Sequence, residues 1–225
     1  MESGRLISEA RYGNLAQVKY LLGKGIDVDS TDHKGGTALF AASAKGHIEV
    51  VLELIRNKAD VNIMTEDGST PLIAATCNGH LGVVKALIKG KADVNKRNPN
   101  YATALRYASS YNEDTSIMNE LLDAGADFNV QEKIGITPLM ISCKKGRLDQ
   151  VHMLLKKGAD VNLKCKKNLK ALDYANQQEN TDIIEALTNV SNMVVFIFTY
   201  LMLFYMSNLF FTSTGYKDGG YSWKC

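Results

Sequence analysis

No charge of one sign dominates this chain. Its 26 Lys and Arg against 24 Asp and Glu leave a net charge of +2 over 225 residues, which steers toward no class of partner. Cysteine is sparse and unpaired: Cys77, Cys143, Cys165 and Cys225 stand far apart with no CxxC spacing, so no metal ribbon or dithiol motif is written here. The opening stretch MESGRLISEARYG is too polar for a secretory signal, from which free thiols in a reducing, cytoplasmic setting are expected. Signatures of catalysis are missing too. The GKG at Gly23 and GKA at Gly90 lack the spacing and hydroxyl of a phosphate loop. No HExxH, GxSxG or kinase-type glycine loop occurs. What remains is ordinary globular material, 45% hydrophobic and 22% charged, which excludes pervasive disorder.

What is present in abundance is repetition. The stretch GSTPLIAATCNGHLGVVKALIKGKADVN, residues 68–95, recurs along the chain. Its threonine returns at Thr37, Thr70, Thr103 and Thr137, with Lys170 in the same slot, at steps of 33, 33, 34 and 33 residues. Counting back 33 from Thr37 reaches Gly4 and a degenerate first copy. Six copies therefore fill residues 1–190, divided at about 1–33, 34–66, 67–99, 100–133, 134–166 and 167–190. The recurring residues have physical reasons. Thr70 and Thr137 suit a helix N-cap, and Pro71 and Pro138 the first helical turn. Leu39, Leu72, Leu105, Leu139 and Leu172 are candidate core, while Ala42, Ala75, Ala108 and Ala175 leave room for close helix approach. Gly13, Gly46, Gly79 and Gly146 fall where a first helix must end. Val50, Val51, Leu54 and Ile55 give the apolar stripe of a second helix. Asn62, Asn95, Asn129 and Asn162 end an ADVN or ADFN turn, where their side chains can satisfy turn backbone.

Since one such unit cannot bury its apolar face alone, stacking is required, and the end copies should be atypical. The fourth copy has one extra residue, no proline, and Asn112 where others have glycine, so an irregular or looser unit is expected there. Lys58 and Lys91 replace a glycine after the second helix. A left-handed lysine costs about 1 kcal/mol, so the cap is expected to shift to Asn57 or Gly90.

The 33-residue period with TPL, GH and ADVN at fixed offsets resembles the ankyrin repeat family over about five-sixths of the chain. The resemblance implies an all-α solenoid with β-hairpin-like fingers, no catalysis and no cofactor. His47 and His80, after the inter-helix glycine, read as structural. His33 and His152 lack a Cys or carboxylate partner, and Asp27, Asp60, Asp93, Asp127 and Asp160 recur with the repeat as turn residues. The resemblance also implies a protein-binding scaffold or adaptor. Family contact positions are the finger tip, the residue before the threonine, and the two before the inter-helix glycine. Copy two then offers His33, Lys34, Gly36, Ala44 and Lys45. Copy three offers Glu66, Asp67, Ser69, Cys77 and Asn78. From copy four come Asn100, Ala102, Ser110 and Tyr111. The fifth gives Lys133, Ile134, Ile136, Lys144 and Lys145, and the sixth Lys166, Lys167, Leu169, Gln177 and Gln178. Residues 131–170 hold ten basic against three acidic residues. Lysines around Tyr111, Ile134 and Ile136 suit an acidic peptide with a hydrophobic anchor; the alternative is a solvated face that keeps the stack soluble. Nucleic acid is not expected, because no aromatics interleave the lysines. The scaffold is expected to be monomeric. Family members can also be substrates of an asparaginyl hydroxylase, for which Asn62, Asn95, Asn129 and Asn162 have Leu54, Leu87, Leu121 and Leu154 eight residues upstream.

Beyond the sixth copy the pattern stops. Residues 193–211, MVVFIFTYLMLFYMSNLFF, contain no charge, glycine or proline, within a hydrophobic stretch at 191–212 and before a polar tail at 213–225. As a helix the nineteen residues would span about 28 Å, close to a bilayer core of about 30 Å. A membrane tail anchor is one reading. Docking on the last copy or a partner is a second, and an end with no function a third. Four acids and no Lys or Arg in residues 171–192, against Lys217 and Lys224 beyond the run, oppose the usual orientation of such an anchor.

Overall fold

Thr37, Thr70, Thr103 and Thr137 each turn the chain into a helix. Their Oγ1 atoms accept from the backbone N–H three residues on, at Phe40 (3.1 Å), Ile73 (3.1 Å), Arg106 (3.5 Å) and Met140 (3.2 Å), which satisfies one of the donors a helix start leaves open. At the fifth such site the direction is reversed: Lys170 N–H donates to Asp173 Oδ2 at 2.7 Å. The computed structural model describes residues 2–190 and 192. Over these residues the chain forms helix pairs: α1 Glu2–Arg11 with α2 Leu15–Gly23, α3 Ala38–Lys45 with α4 Ile48–Arg56, and α5 Pro71–Cys77 with α6 Leu81–Lys89. Then come α7 Ala104–Tyr111 with α8 Ser116–Asp123, and α9 Pro138–Lys144 with α10 Leu148–Lys156. The last pair is α11 Ala171–Gln177 with α12, residues 181–190.

The first helices of the pairs stack in chain order as an inner layer, and α2, α4, α6 and α8 stack as an outer one. Ala42, Ala75, Ala108 and Ala175 are fully buried between inner helices, where a larger side chain would force the layers apart. Leu54, Leu87, Leu121 and Leu154 from the outer helices fill the space behind them and are equally buried. Each such leucine contributes about 2–3 kcal/mol by leaving water.

Polar contacts set the register between copies. In each finger an aspartate closes its own turn, as when Asn62 N–H donates to Asp60 Oδ1 at 2.8 Å. The asparagine two residues on reaches into the next copy. Asp93 N–H donates to Asn62 Oδ1 (2.8 Å), Asp127 to Asn95 (2.8 Å) and Asp160 to Asn129 (2.9 Å). Asp29 does the same for Asp60 at 2.9 Å. At the other end of the inner helices, His47 Nε2 lies 3.0 Å from the Arg11 carbonyl and His80 Nε2 3.2 Å from that of Ala44. A carbonyl only accepts, so Nε2 carries the proton in both. The inter-helix glycines make room: a Cβ on Gly13 or Gly46, both left-handed, would lie 2.6 or 2.7 Å from the following copy's imidazole.

Three expectations are corrected. The fingers contain no strand among the described residues, only an isolated antiparallel bridge of Thr31 with Thr37. Neighbouring fingers meet through one backbone rung each, Glu66 N–H to Lys34 O (2.9 Å), Lys133 to Asn100 (2.9 Å) and Lys166 to Ile134 (3.0 Å). A single rung builds no strand ladder. At the remaining junction the donor position is Pro99, which has no N–H; its ring fills the space that a Cβ on Gly68 would need. Second, the helix caps do not shift. Lys58 and Lys91 themselves take φ of 64° and 69°, while Asn57 and Gly90 stay at −82° and −74°. The paired bonds Lys58 N–H to Ile55 O and Ala59 N–H to Leu54 O hold the left-handed residue in place and seat Ala59 in the core. Third, the fourth copy is irregular but not loose. Asn112 ends α7 in an extended conformation, with φ −101° and ψ 122°. Its carbonyl accepts from Arg147 Nη1 and Gln150 Nε2, both at 2.6 Å. Arg147 also donates to the carbonyls of Ser109 (3.1 Å) and Ser110 (3.3 Å).

The hydrophobic stretch at 191–212, the polar tail and every reading placed on them lie outside the described residues, apart from Asn192 in helical conformation. Among the described residues no helix is long and apolar enough to cross a membrane.

These contacts set measurable stabilities. Arg147→Ala, which removes a charged donor from three carbonyls, is expected to lower unfolding free energy by about 2–3 kcal/mol in urea titration. Lys58→Gly should raise it by about 0.5–1 kcal/mol by releasing a left-handed side chain.

Candidate partner-binding site

Each finger is a tight turn closed by two backbone bonds. The outer N–H to carbonyl bond runs from Asp32 to Gly36, Thr65 to Ser69, Asn98 to Ala102, Glu132 to Ile136 and Cys165 to Leu169, and an inner one runs from the fourth residue of the turn back to the first. The turn needs a left-handed residue, supplied by Gly35, Gly68, Tyr101, Gly135 and Asn168. At Gly135 the demand is also steric, since a Cβ would come within 3.0 Å of the Cys165 backbone. The fifth finger can therefore lie directly against the sixth.

That close approach forms a groove of about 440 Å³ at the foot of α9 and α11. Ile136, Leu169, Tyr174 and Cys165 make its apolar floor, and Ile134 stands on its lip, 53% exposed. Lys144, Lys166 and Lys167 form the rim, with Gln177 at one end. Among the described residues none of these three lysines makes an ion pair. On the floor, Cys165 Sγ lies 3.5 Å from the Tyr174 hydroxyl. Burial pushes the Tyr174 phenol up to about 12, with the Cys165 contact adding to it. Burial also pushes the Cys165 thiol up, but the Tyr174 hydroxyl and the Leu169 and Lys167 amides more than offset it, leaving the thiol below its ordinary value. Cys77 and Cys143, away from this groove, are pushed by burial up to about 11 and about 12.

A second groove, of about 430 Å³, lies between α1, α3 and the second and third fingers. Ile7, Phe40 and Ala41 line its floor, and its charges are mixed: Arg11 and Lys34 against Asp32, Glu66 and Asp67. Several are already engaged. Asp32 accepts from the Lys34 and Gly36 amides at 2.9 Å and pairs with Arg11 at 3.9 Å. Asp67 accepts from Thr65 and Ser69. This groove offers shape with little uncommitted charge.

Of the residues named from the sequence, Ile134, Ile136, Lys144, Lys166, Lys167, Leu169 and Gln177 come together in the basic groove, and Lys34, Gly36, Glu66 and Asp67 in the mixed one. Cys77, Asn78 and Tyr111 border a third, smaller space between copies three and four. His33, Lys45, Asn100, Lys133, Lys145 and Gln178 are exposed but line none of the three, and Ser69 is half-buried. Ala102 is buried at 2% exposure, so it offers no contact surface, because its amide closes the finger turn on Asn98. Asn62, Asn95 and Asn129 hold the following copy, and Asn162 accepts from Lys170 Nζ at 3.1 Å. The four leucines upstream of them are core.

Sequence reasoning passed over Tyr101, Cys165 and Tyr174. The signal for Tyr101 was the glycine column, where it is the one bulky residue; it holds φ of 60° and stays 54% exposed. Beside it Arg106 pairs with Glu132 at 3.1 Å, joining the fourth and fifth copies. Among the described residues no group of three His, Cys, Asp or Glu is placed to hold a metal.

Comparison with known proteins agrees with this architecture. The family description of ankyrin repeats in three copies matches residues 6–98 and 105–195. An ankyrin repeat protein of fowlpox virus (strain NVSL), FPV244, is 34% identical over 82 residues; the match spans 36% of this chain but only 12% of the viral protein. One chain in the solved complex of the Bd0816 predatory endopeptidase from Bdellovibrio bacteriovorus with the immunity protein Bd3460 superposes with a TM-score of 0.73 at 31% identity. That likeness covers 82% of this chain and 96% of the other.

The groove chemistry can be checked on its thiol. Tyr174→Phe removes the hydroxyl that holds the Cys165 thiol down, so alkylation of Cys165 by iodoacetamide at pH 8 should slow several-fold, read by peptide mass spectrometry.

Proposed function

The chain belongs to the ankyrin repeat family, and we propose that it is a binding module that holds an acidic peptide segment, with one aliphatic or aromatic anchor, in the groove between its fifth and sixth copies. One observation carries this reading: three lysines that make no ion pair among the described residues ring an apolar floor in a groove of about 440 Å³. An anchor side chain leaving water for such a floor contributes about 2–3 kcal/mol. Carboxylates flanking it meet the lysine rim and speed encounter, an effect that salt screens. The similar solved chain comes from a complex between proteins, which fits a fold used in this way. Scaffolding or adaptor work follows from recognition by a preformed surface, with no chemistry required of the module.

The test uses fluorescence polarisation with a labelled twelve-residue peptide of Glu and Asp around a central Leu. Lys144→Glu, Lys166→Glu and Lys167→Glu together should weaken binding at least about tenfold while the helical circular dichroism stays unchanged. Lys145→Glu, outside the groove, should leave affinity within about twofold. Equal loss at Lys145, or no loss with the triple variant, removes the groove from the argument, and replacing the central Leu by Ala must also weaken binding.

Membrane tethering is a second reading, favoured by the uncharged run at 193–211. It would concentrate the partner at one membrane. Alkaline-carbonate extraction should leave the full chain in the membrane pellet and release a chain ended at Asn189; release of both would discard the tether.

A further inference from the structure

The junctions between copies differ in one respect that bears on a second binding site, at the end of the inner helices opposite the fingers. At three junctions a donor side chain reaches back to a carbonyl in the last turn of the preceding inner helix: His47 to Arg11, His80 to Ala44, and Arg147 to Ser110. The acceptors are spaced 33 residues apart, and the series runs 11, 44, 77, 110. At the junction of copies three and four the reach is one residue short: Asn112 Nδ2 donates to Thr76, and the position matching His80 holds Glu113, which only accepts. Among the described residues the Cys77 carbonyl, counterpart of the other three, accepts no hydrogen bond.

The space is left open as well. An imidazole covers Gly13 and Gly46, but a Cβ on Gly79 would meet nothing within 4 Å. The result is a cavity of about 270 Å³ bordered by Gly79, Tyr111, Asn112, Glu113 and Asp114, with Leu81 and Ile117 as apolar walls. Asn112 lines it at 8% exposure. Its Nδ2 donates to the Thr76 carbonyl at 3.1 Å, and its buried Oδ1 has no partner. An orphaned buried acceptor costs about 1–3 kcal/mol and marks where a donor belongs. Asp114 gives one oxygen to Ser116 and keeps the other. The Glu113 carboxylate makes no ion pair among the described residues. The cations nearby are committed elsewhere: Arg147 to three carbonyls, and Arg106 to Glu132. The slot is therefore lined by uncommitted acceptors, carries two carboxylates, and has the 62% exposed Tyr111 ring at its mouth.

We propose that this slot binds a guanidinium group, the side chain of an arginine presented by a partner protein. A guanidinium is flat enough for a slot that elsewhere holds an imidazole. It has five N–H donors for the Cys77 carbonyl, Asn112 Oδ1 and the two carboxylates, and its face stacks on Tyr111. An ammonium is compact and strongly hydrated and makes fewer directed bonds to the same acceptors. The site is separate from the lysine-rimmed groove, which is lined by residues of copies five and six and takes the opposite charge.

The experiment titrates the full, nitrogen-15-labelled chain with N-acetyl-arginine amide, and in parallel with the lysine and citrulline amides, following backbone resonances by NMR. Saturable shifts at Gly79 and at residues 111–114 are expected with arginine, at a Kd of about millimolar order. Citrulline should give none, and lysine should bind at least about fivefold more weakly. Glu113→His should abolish the response and raise the melting temperature, because the imidazole refills the slot and bonds the Cys77 carbonyl. Glu113→Gln, which keeps size and loses charge, should weaken arginine binding while leaving the melting temperature unchanged. Absence of saturable shifts, an equal response to citrulline or lysine, or undiminished binding by Glu113→Gln would each overturn the proposal.

Discussion

The hydrogen bond from each finger's aspartate amide to the asparagine of the finger before it is the constraint on which the rest depends. Hydrophobic burial drives the copies together, but burial alone is indifferent to small slides of one helix layer over the next. The bonds from Asp93 to Asn62, Asp127 to Asn95 and Asp160 to Asn129 are directional and repeat at 2.8–2.9 Å. They lock one edge of the stack, and the His47 and His80 bonds lock the other. With both edges held, the fully buried alanines of the inner helices meet at one height. The finger turns then project at regular intervals. A groove between two fingers exists only because that interval is enforced.

The fourth copy shows what happens when the constraint is rewritten locally. Asn112 and Glu113 replace the glycine-histidine pair at positions built for a left-handed backbone and a donor, and the extra residue falls after them. Arg147 repairs the junction on the far side with three carbonyl contacts, and Gln150 adds a fourth. On the near side Asn112 bridges only to Thr76, and an acceptor-lined slot remains. At the finger end of the same copy Pro99 deletes the backbone rung and Tyr101 sits left-handed. Irregularity in a solenoid concentrates where neighbours still have to match, which is why these departures come with compensating contacts and with open surface.

Two places along the stack thus present different chemistry. In copies five and six, lysines surround an apolar floor. Between copies three and four, carboxylates and carbonyls surround a flat space. Both follow from positions the repeat leaves free once its threonine, alanine, leucine and asparagine columns are assigned.

Those columns were legible in the sequence because each answers a local demand that recurs: a cap at Thr70, a close approach at Ala75, a turn at Asn95. Period and spacing alone determined the helix pairs found among the described residues, most of the core leucines and the stacking order of the inner helices. They also singled out most of the lysine rim, since Lys144, Lys166 and Lys167 occupy exposed columns. Only the tertiary structure decided which of those exposed residues converge, for convergence depends on how closely fingers approach. The Gly135 contact with the Cys165 backbone brings Ile134 and Lys166 together and leaves Lys133 and Lys145 apart. It likewise decided that Lys58 and Lys91 stay left-handed, because bonds to Ile55 and Leu54, and to Ile88 and Leu87, outweigh a local backbone cost that sequence reasoning weighed by itself. Asn62 looked like a turn residue and proved to be a bridge, since the amide it meets lies 31 residues away and only stacking brings it within reach.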